Sequence, residues 1–118
     1  ENIAKRLENT VNRLGEVAQN LGKKLAEGEL ETGFAHAYPF MDALGDVTMA
    51  WMLLWRATVA SEKLEKGSSK KHQAFYSGQI SSAEFFCHTV LPQTMSKLED
   101  TENMNAAAVN IPEAGFGG

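Results

Sequence analysis

The nine residues from Val47 to Trp55 constrain the fold more than any other stretch of the chain. Val47-Thr48-Met49-Ala50-Trp51-Met52-Leu53-Leu54-Trp55 holds one polar side chain, Thr48. Wound as an α-helix the run is apolar nearly all round, and such a helix needs cover on several sides. It is far shorter than the ~20 residues of a membrane span, and it stops at Arg56. It is therefore expected to lie at the middle of the central helix of a packed bundle. Leu54→Ala in this run is expected to cost ~2–5 kcal/mol in urea unfolding if the side chain is buried, and nearly nothing if it is exposed.

The helix around the run extends from about Leu30 to Lys66, with Pro39 inside it. An interior proline removes a hydrogen bond and clashes with the preceding turn. Pro39 either opens a new helix at its first turn or bends a continuous one; a kink or short break is favoured, leaving the strongest helix from Pro39 to about Lys66. Before it, about Asn2 to Ala26 repeats Ile3, Leu7, Val11, Leu14, Val17 or Ala18, Leu21 and Leu25 at steps of three and four, one stripe on a helix. Gly15 and Gly22, seven apart, share a face and are expected to let a neighbouring helix approach closely. Glu27-Gly28-Glu29 breaks that helix. A second break falls at Gly67-Ser68-Ser69, where Ser68 or Ser69 caps the next helix. The third helix runs from about Lys70 to Asp100 with a stripe of Tyr76, Ile80, Ala83, Phe86 or Cys87, Val90 or Leu91, and Leu98, kinked near Pro92.

No segment alternates as a strand does, and short connections make neighbouring helices antiparallel. The fold class is all-α: an antiparallel bundle of three long helices, with room for a short fourth, the second and third kinked at Pro39 and Pro92. Residues 1–104 form the bundle. Residues 105–118 read as a C-terminal tail, with Val109, Ile111 and Phe116 available to dock it.

At 118 residues the chain suits one domain whose core needs no staple. Its lone Cys87 makes no internal disulfide, and the net charge of −4 argues against a general nucleic-acid binder. With no membrane span, no leader and no disulfide framework, a cytoplasmic location is expected. Because the chain starts at Glu1 in a helical pattern without Met, it is expected to be a piece of a longer one.

Few side chains suggest chemistry. The histidines are His36, His72 and His88. Only Glu84 and His88 pair ligand types at helical spacing, and two such residues fall together often by chance, so structural or surface roles come ahead of metal. Cys87 and His88 are adjacent on a helix and do not face each other, which favours an inert, buried thiol. Trp51 and Trp55 share a face and, with Tyr38, Phe40, Phe75, Tyr76, Phe85 and Phe86, suit either a ligand pocket or the core, with core the default. Lys63, Lys66, Lys70, Lys71 and His72 make a basic patch at the second break, read first as a solvated turn. There is no phosphate loop, nucleophile elbow or paired-carboxylate signature. No residue is assigned a catalytic, cofactor-binding or metal role.

Two stretches carry a resemblance. One is Ala37-Tyr38-Pro39-Phe40-Met41-Asp42-Ala43-Leu44-Gly45-Asp46-Val47, followed by Trp51 and Arg56-Ala57. The other runs from Phe75-Tyr76-Ser77-Gly78-Gln79-Ile80 through Ser81-Ser82-Ala83-Glu84-Phe85-Phe86 to Val90-Leu91-Pro92. In order and separation they resemble the extra C-terminal domain of one branch of the acyl-CoA dehydrogenases, and Ile111-Pro112-Glu113-Ala114-Gly115-Phe116 is similar to the ending such chains carry. The resemblance implies a longer parent flavoprotein, an oxidoreductase acting on CH–CH bonds of an acyl-CoA thioester. There FAD takes the hydride while a glutamate upstream of this domain removes a proton. It implies that these residues bind no cofactor, catalyse nothing themselves, and pack on the catalytic body or a neighbouring subunit, with a homo-oligomer expected. Gly45 is then expected to permit close helix packing, and Phe75 and Tyr76 to fill the bundle. The alternative is a free-standing bundle that dimerises or binds a small ligand.

Overall fold

The computed structural model describes residues 2–117. These residues form five α-helices and a closing 3-10 turn: α1 (Asn2–Ala26), α2 (Leu30–Ala35), α3 (Ala37–Glu65), α4 (Lys70–Thr89), α5 (Leu91–Asn103) and the turn at Glu113–Phe116. There is no strand among the described residues. The two glycine breaks work as helix stops. Gly28 takes φ +94° and ends α1, with Glu29 N–H donating to the Lys24 carbonyl and Gly28 N–H to that of Leu25. Gly67, at φ +84°, ends α3. Ser69 then caps α4, its side chain accepting from the His72 N–H at 3.4 Å.

Both prolines act from first turns. The second segment breaks at His36 into α2 and α3, which places Pro39 three residues into α3, where no intrahelical N–H is missed. The helix thus starts two residues before Pro39. The third segment breaks at Val90, and Pro92 sits in the first turn of α5. Val90 keeps helical angles and donates to the Phe86 carbonyl at 2.8 Å, so α4 and α5 form one kinked rod.

The core fixes the directions. Leu7 of α1 meets Val47, Ala50, Cys87 and Leu91, and Val17 meets Ala43 and Leu98. Moving along α1 and α5 therefore means moving backward along α3, as an antiparallel bundle requires. Four alanines of α3, Ala43, Ala50, Ala57 and Ala60, are buried, as is Ala83 of α4. Small side chains let helix axes come close.

Polar residues complete the core. Thr10, Thr94 and Thr101 are almost wholly buried, and each hydroxyl lies 2.9–3.1 Å from the carbonyl four residues earlier. A threonine satisfied in this way buries its methyl without an orphaned donor. That is why the α1 seam runs through Thr10 and leaves Val11 45% exposed, contrary to the expected stripe. The expectation for Gly15 and Gly22 also fails: an added Cβ at either meets nothing. Replacing both by alanine is expected to stabilise the chain by about 1–2 kcal/mol in total, measured by urea unfolding.

The central run departs most from expectation. α3 does pack against α1, α2, α4 and α5. Yet Trp51, Trp55 and Met49 are more than half exposed, and Leu54 is half-buried against the core. The cost expected for Leu54→Ala accordingly falls to about 1–2 kcal/mol. The bundle is elongated, 67 × 31 × 16 Å, with a radius of gyration of 19.5 Å. A compact domain of this length would have about 13.5 Å. Its surface of 7884 Å² exceeds the about 6,300 Å² typical of its 12.9 kDa.

Candidate functional site

Most of the large exposed apolar side chains lie on α3 and α4. Between them lies an apolar groove of about 440 Å³, walled by Met52, Trp55, Val59 and Ala60 of α3 and by Phe75 and Tyr76 of α4, with Arg56 and Gln79 at its edges. The Trp51 and Trp55 rings sit 5.9 Å apart, and the edge of one ring meets the face of the other between Phe75 and Tyr76 at 5.6 Å. Aromatic rings held this way and left in water form a preset apolar surface. The expectation that these aromatics fill the core is overturned for Tyr38, Trp51, Trp55, Phe75 and Phe85, all at least 55% exposed. Phe40, Tyr76 and Phe86 are half-buried.

On the other side of α3 is a polar cleft of about 490 Å³, where Ile3, Leu54 and Ile80 form the floor and Glu62, Glu65, Glu84 and His88 the rim. It brings Glu84 and His88 to one place. Among the described residues, however, no three His, Cys, Asp or Glu side chains converge as metal ligands. Cys87 is fully buried, and desolvation raises its thiol pKa against the opposing charge of Arg6. A thiol so placed is a poor nucleophile. His72 is exposed beside Tyr76, and the lysines of the basic patch project into solvent around the Gly67 turn.

His36 has a role that its sequence context did not reveal. It is buried, its Nε2 lies 2.9 Å from the Asn105 carbonyl, and its Nδ1 lies 3.6 Å from Asp100. It ties the start of α3 to the end of α5 and the first residue beyond Met104. Further along the tail, Val109 is half-buried, while Ile111 and Phe116 are exposed and do not dock as expected.

Two ion-pair networks hold the helices in register. Lys97 of α5 lies 2.8 Å from both Asp42 and Asp46 of α3, and the Thr94 hydroxyl shares its one proton between Asp46 at 2.9 Å and the Val90 carbonyl at 3.1 Å. Arg13 of α1 grips Glu102 of α5 with both terminal nitrogens, at 3.0 and 2.6 Å, and Asn20 adds a third donor at 2.9 Å. The Arg13 hydrogen bonds hold the Glu102 carboxyl below its ordinary value of 4.5. A depressed carboxyl pKa gives stability that is present above the unfolded value and lost as pH falls through the folded one. The chain is thus expected to lose stability below about pH 4.5, and Glu102→Gln to flatten that limb in urea titrations at stepped pH.

Residues 1–112 match the family described as acetyl-CoA dehydrogenase C-terminal like. The chain belongs to this family. It is also similar to the broad-specificity linear acyl-CoA dehydrogenase FadE5 of Mycobacterium tuberculosis, 31% identical over 77 residues. That stretch covers 65% of this chain and 13% of FadE5, so the match reaches a small part of that enzyme. Among the described residues no helix is long and apolar enough to cross a membrane.

Proposed function

We propose that these residues form the non-catalytic C-terminal helical domain of an FAD-dependent acyl-CoA dehydrogenase, packing on the catalytic body or on a neighbouring subunit. On this reading the parent oxidises an acyl-CoA thioester to the enoyl-CoA. The observation that carries it is the open aromatic face of α3 and α4 on a chain that belongs to a C-terminal dehydrogenase family. An elongated bundle with surface to spare is shaped to lie against something larger.

The residues present do not fit FAD. Glu62, Glu65 and Glu84 around the larger cleft repel a pyrophosphate, and the apolar groove offers one cation, Arg56. The flavin and the catalytic base therefore belong, on this reading, to residues outside the bundle. The test compares the 118-residue chain with the full product of its gene. The short chain is expected to be helical by circular dichroism, free of flavin absorbance and inactive on acyl-CoA, and the full product to carry flavin and oxidise acyl-CoA. Stoichiometric flavin on the short chain contradicts the proposal.

A further inference from the structure

Near its start α1 gathers hydrogen-bond donors on one face. Asn2, Lys5, Arg6 and Asn9 follow the i, i+3, i+4, i+7 spacing and, with Thr10 and with Met95 of α5, line a cleft of about 310 Å³. Among the described residues no Asp or Glu lines it, on a chain whose net charge is −4. The Thr10 hydroxyl is already given to the Arg6 carbonyl at 2.9 Å, so the donors left to the cleft are side-chain amides, an ammonium and a guanidinium. Lys5 also reaches Glu8 at 3.0 Å, which leaves its ammonium with N–H bonds to spare.

Arg6 is the odd member of this set. Arg13 and Lys97 are locked to carboxylates, whereas Arg6 pairs with none among the described residues, and its Nε is buried without a hydrogen-bond partner. A buried donor left unpaired costs free energy that a bound acceptor returns. We propose that this cleft binds the phosphate of a small phosphate monoester, with the Arg6 fork on two of its oxygens and Asn2, Lys5 and Asn9 around the third. The oxygens decide for phosphate. A guanidinium fork takes two acceptor oxygens side by side. The ammonium and the amides then find a partner only on an anion with a further oxygen, which a carboxylate lacks. Size limits the rest of the ligand. The cleft lies at the lower end of the about 300–1,000 Å³ range of ligand sites, so the ester carries a small body, set against the 37% exposed Met95.

This site stands on α1 and goes beyond the parentage proposed above. It is tested in the full gene product by modifying arginines with p-hydroxyphenylglyoxal and reading each one by peptide mass spectrometry. Phenyl phosphate is expected to slow the modification of Arg6 at least about fivefold and to leave Arg13 and Arg56 unchanged. Benzoate at the same ionic strength is expected to slow none of them. Asn9→Ala removes an amide at an exposed helical position, and is expected to raise the phenyl phosphate concentration for half-protection of Arg6 roughly tenfold, with helicity unchanged. Four results overturn the site: no slowing by phenyl phosphate, equal slowing by benzoate, slowing of Arg6, Arg13 and Arg56 alike, or protection that Asn9→Ala does not weaken. So does an Arg6 that resists the reagent before any anion is added, because the parent then covers the cleft. The flavin readout of the preceding test is unaffected by any of these results.

Discussion

Leu91→Ala is expected to lower the unfolding free energy by about 2–5 kcal/mol, the largest loss of any single truncation in the bundle. Leu91 is fully buried at the point where α5 leaves the kink, touching the cluster of Leu7, Val47, Ala50 and Cys87. Its removal forfeits the burial of three carbons and their hydrogens, and the space left does not close readily. The neighbours sit on helices already in contact, and Pro92 holds the backbone beside it. Urea unfolding with the helix signal as readout measures the loss. A change below about 1 kcal/mol would mean that the α1–α3–α5 junction is not the core.

Lys97→Met is expected to cost about 1–3 kcal/mol at neutral pH. Lys97 lies between Asp42 and Asp46, and hydrogen bonds to both carboxylates raise its pKa above the ordinary lysine value. A raised pKa gives stability present at all pH values below the unfolded value of 10.5 and lost as pH rises through the folded one. In the wild-type chain that contribution is constant across the neutral range. In the methionine variant two carboxylates face each other without a cation, with only the Thr94 hydroxyl for Asp46. Protonating either one relieves the repulsion, so the deficit of the variant is expected to shrink as pH falls toward about 4. Urea unfolding at about pH 7 and about pH 4 checks both the size and the sign. A deficit that grows on acidification would contradict this view of the network.

The punctuation of the fold was legible from the sequence because its residues have one physical use. Gly28 and Gly67 stop helices by taking positive φ, and Pro39 and Pro92 sit where a first turn tolerates a missing N–H. The resemblance carried by the Ala37–Val47 and Phe75–Pro92 stretches agreed with the family match. The faces of α3 were less legible. An all-apolar run looks equally buried from every side, and nothing in composition says that alanines take the inner contacts while tryptophans stay out. The signal was there in spacing: Ala43, Val47, Ala50, Leu54 and Ala57 make one stripe and Met41, Gly45, Thr48, Met52 and Trp55 another. Thr10, Thr94 and Thr101 entered no expected stripe, because the carbonyl that lets each hydroxyl be buried is a property of the helix already formed. The Arg13–Glu102 and Lys97–Asp46 contacts join residues 89 and 51 positions apart, and no local pattern reports them.

The central claim is that this bundle is the supporting part of a larger dehydrogenase. Reading the gene upstream of the codon for Glu1 tests it most directly. The expected result is an open frame running in from a flavin-binding dehydrogenase body. A start codon directly before Glu1 would contradict the claim, and the aromatic face of α3 and α4 would then have to account for the function alone.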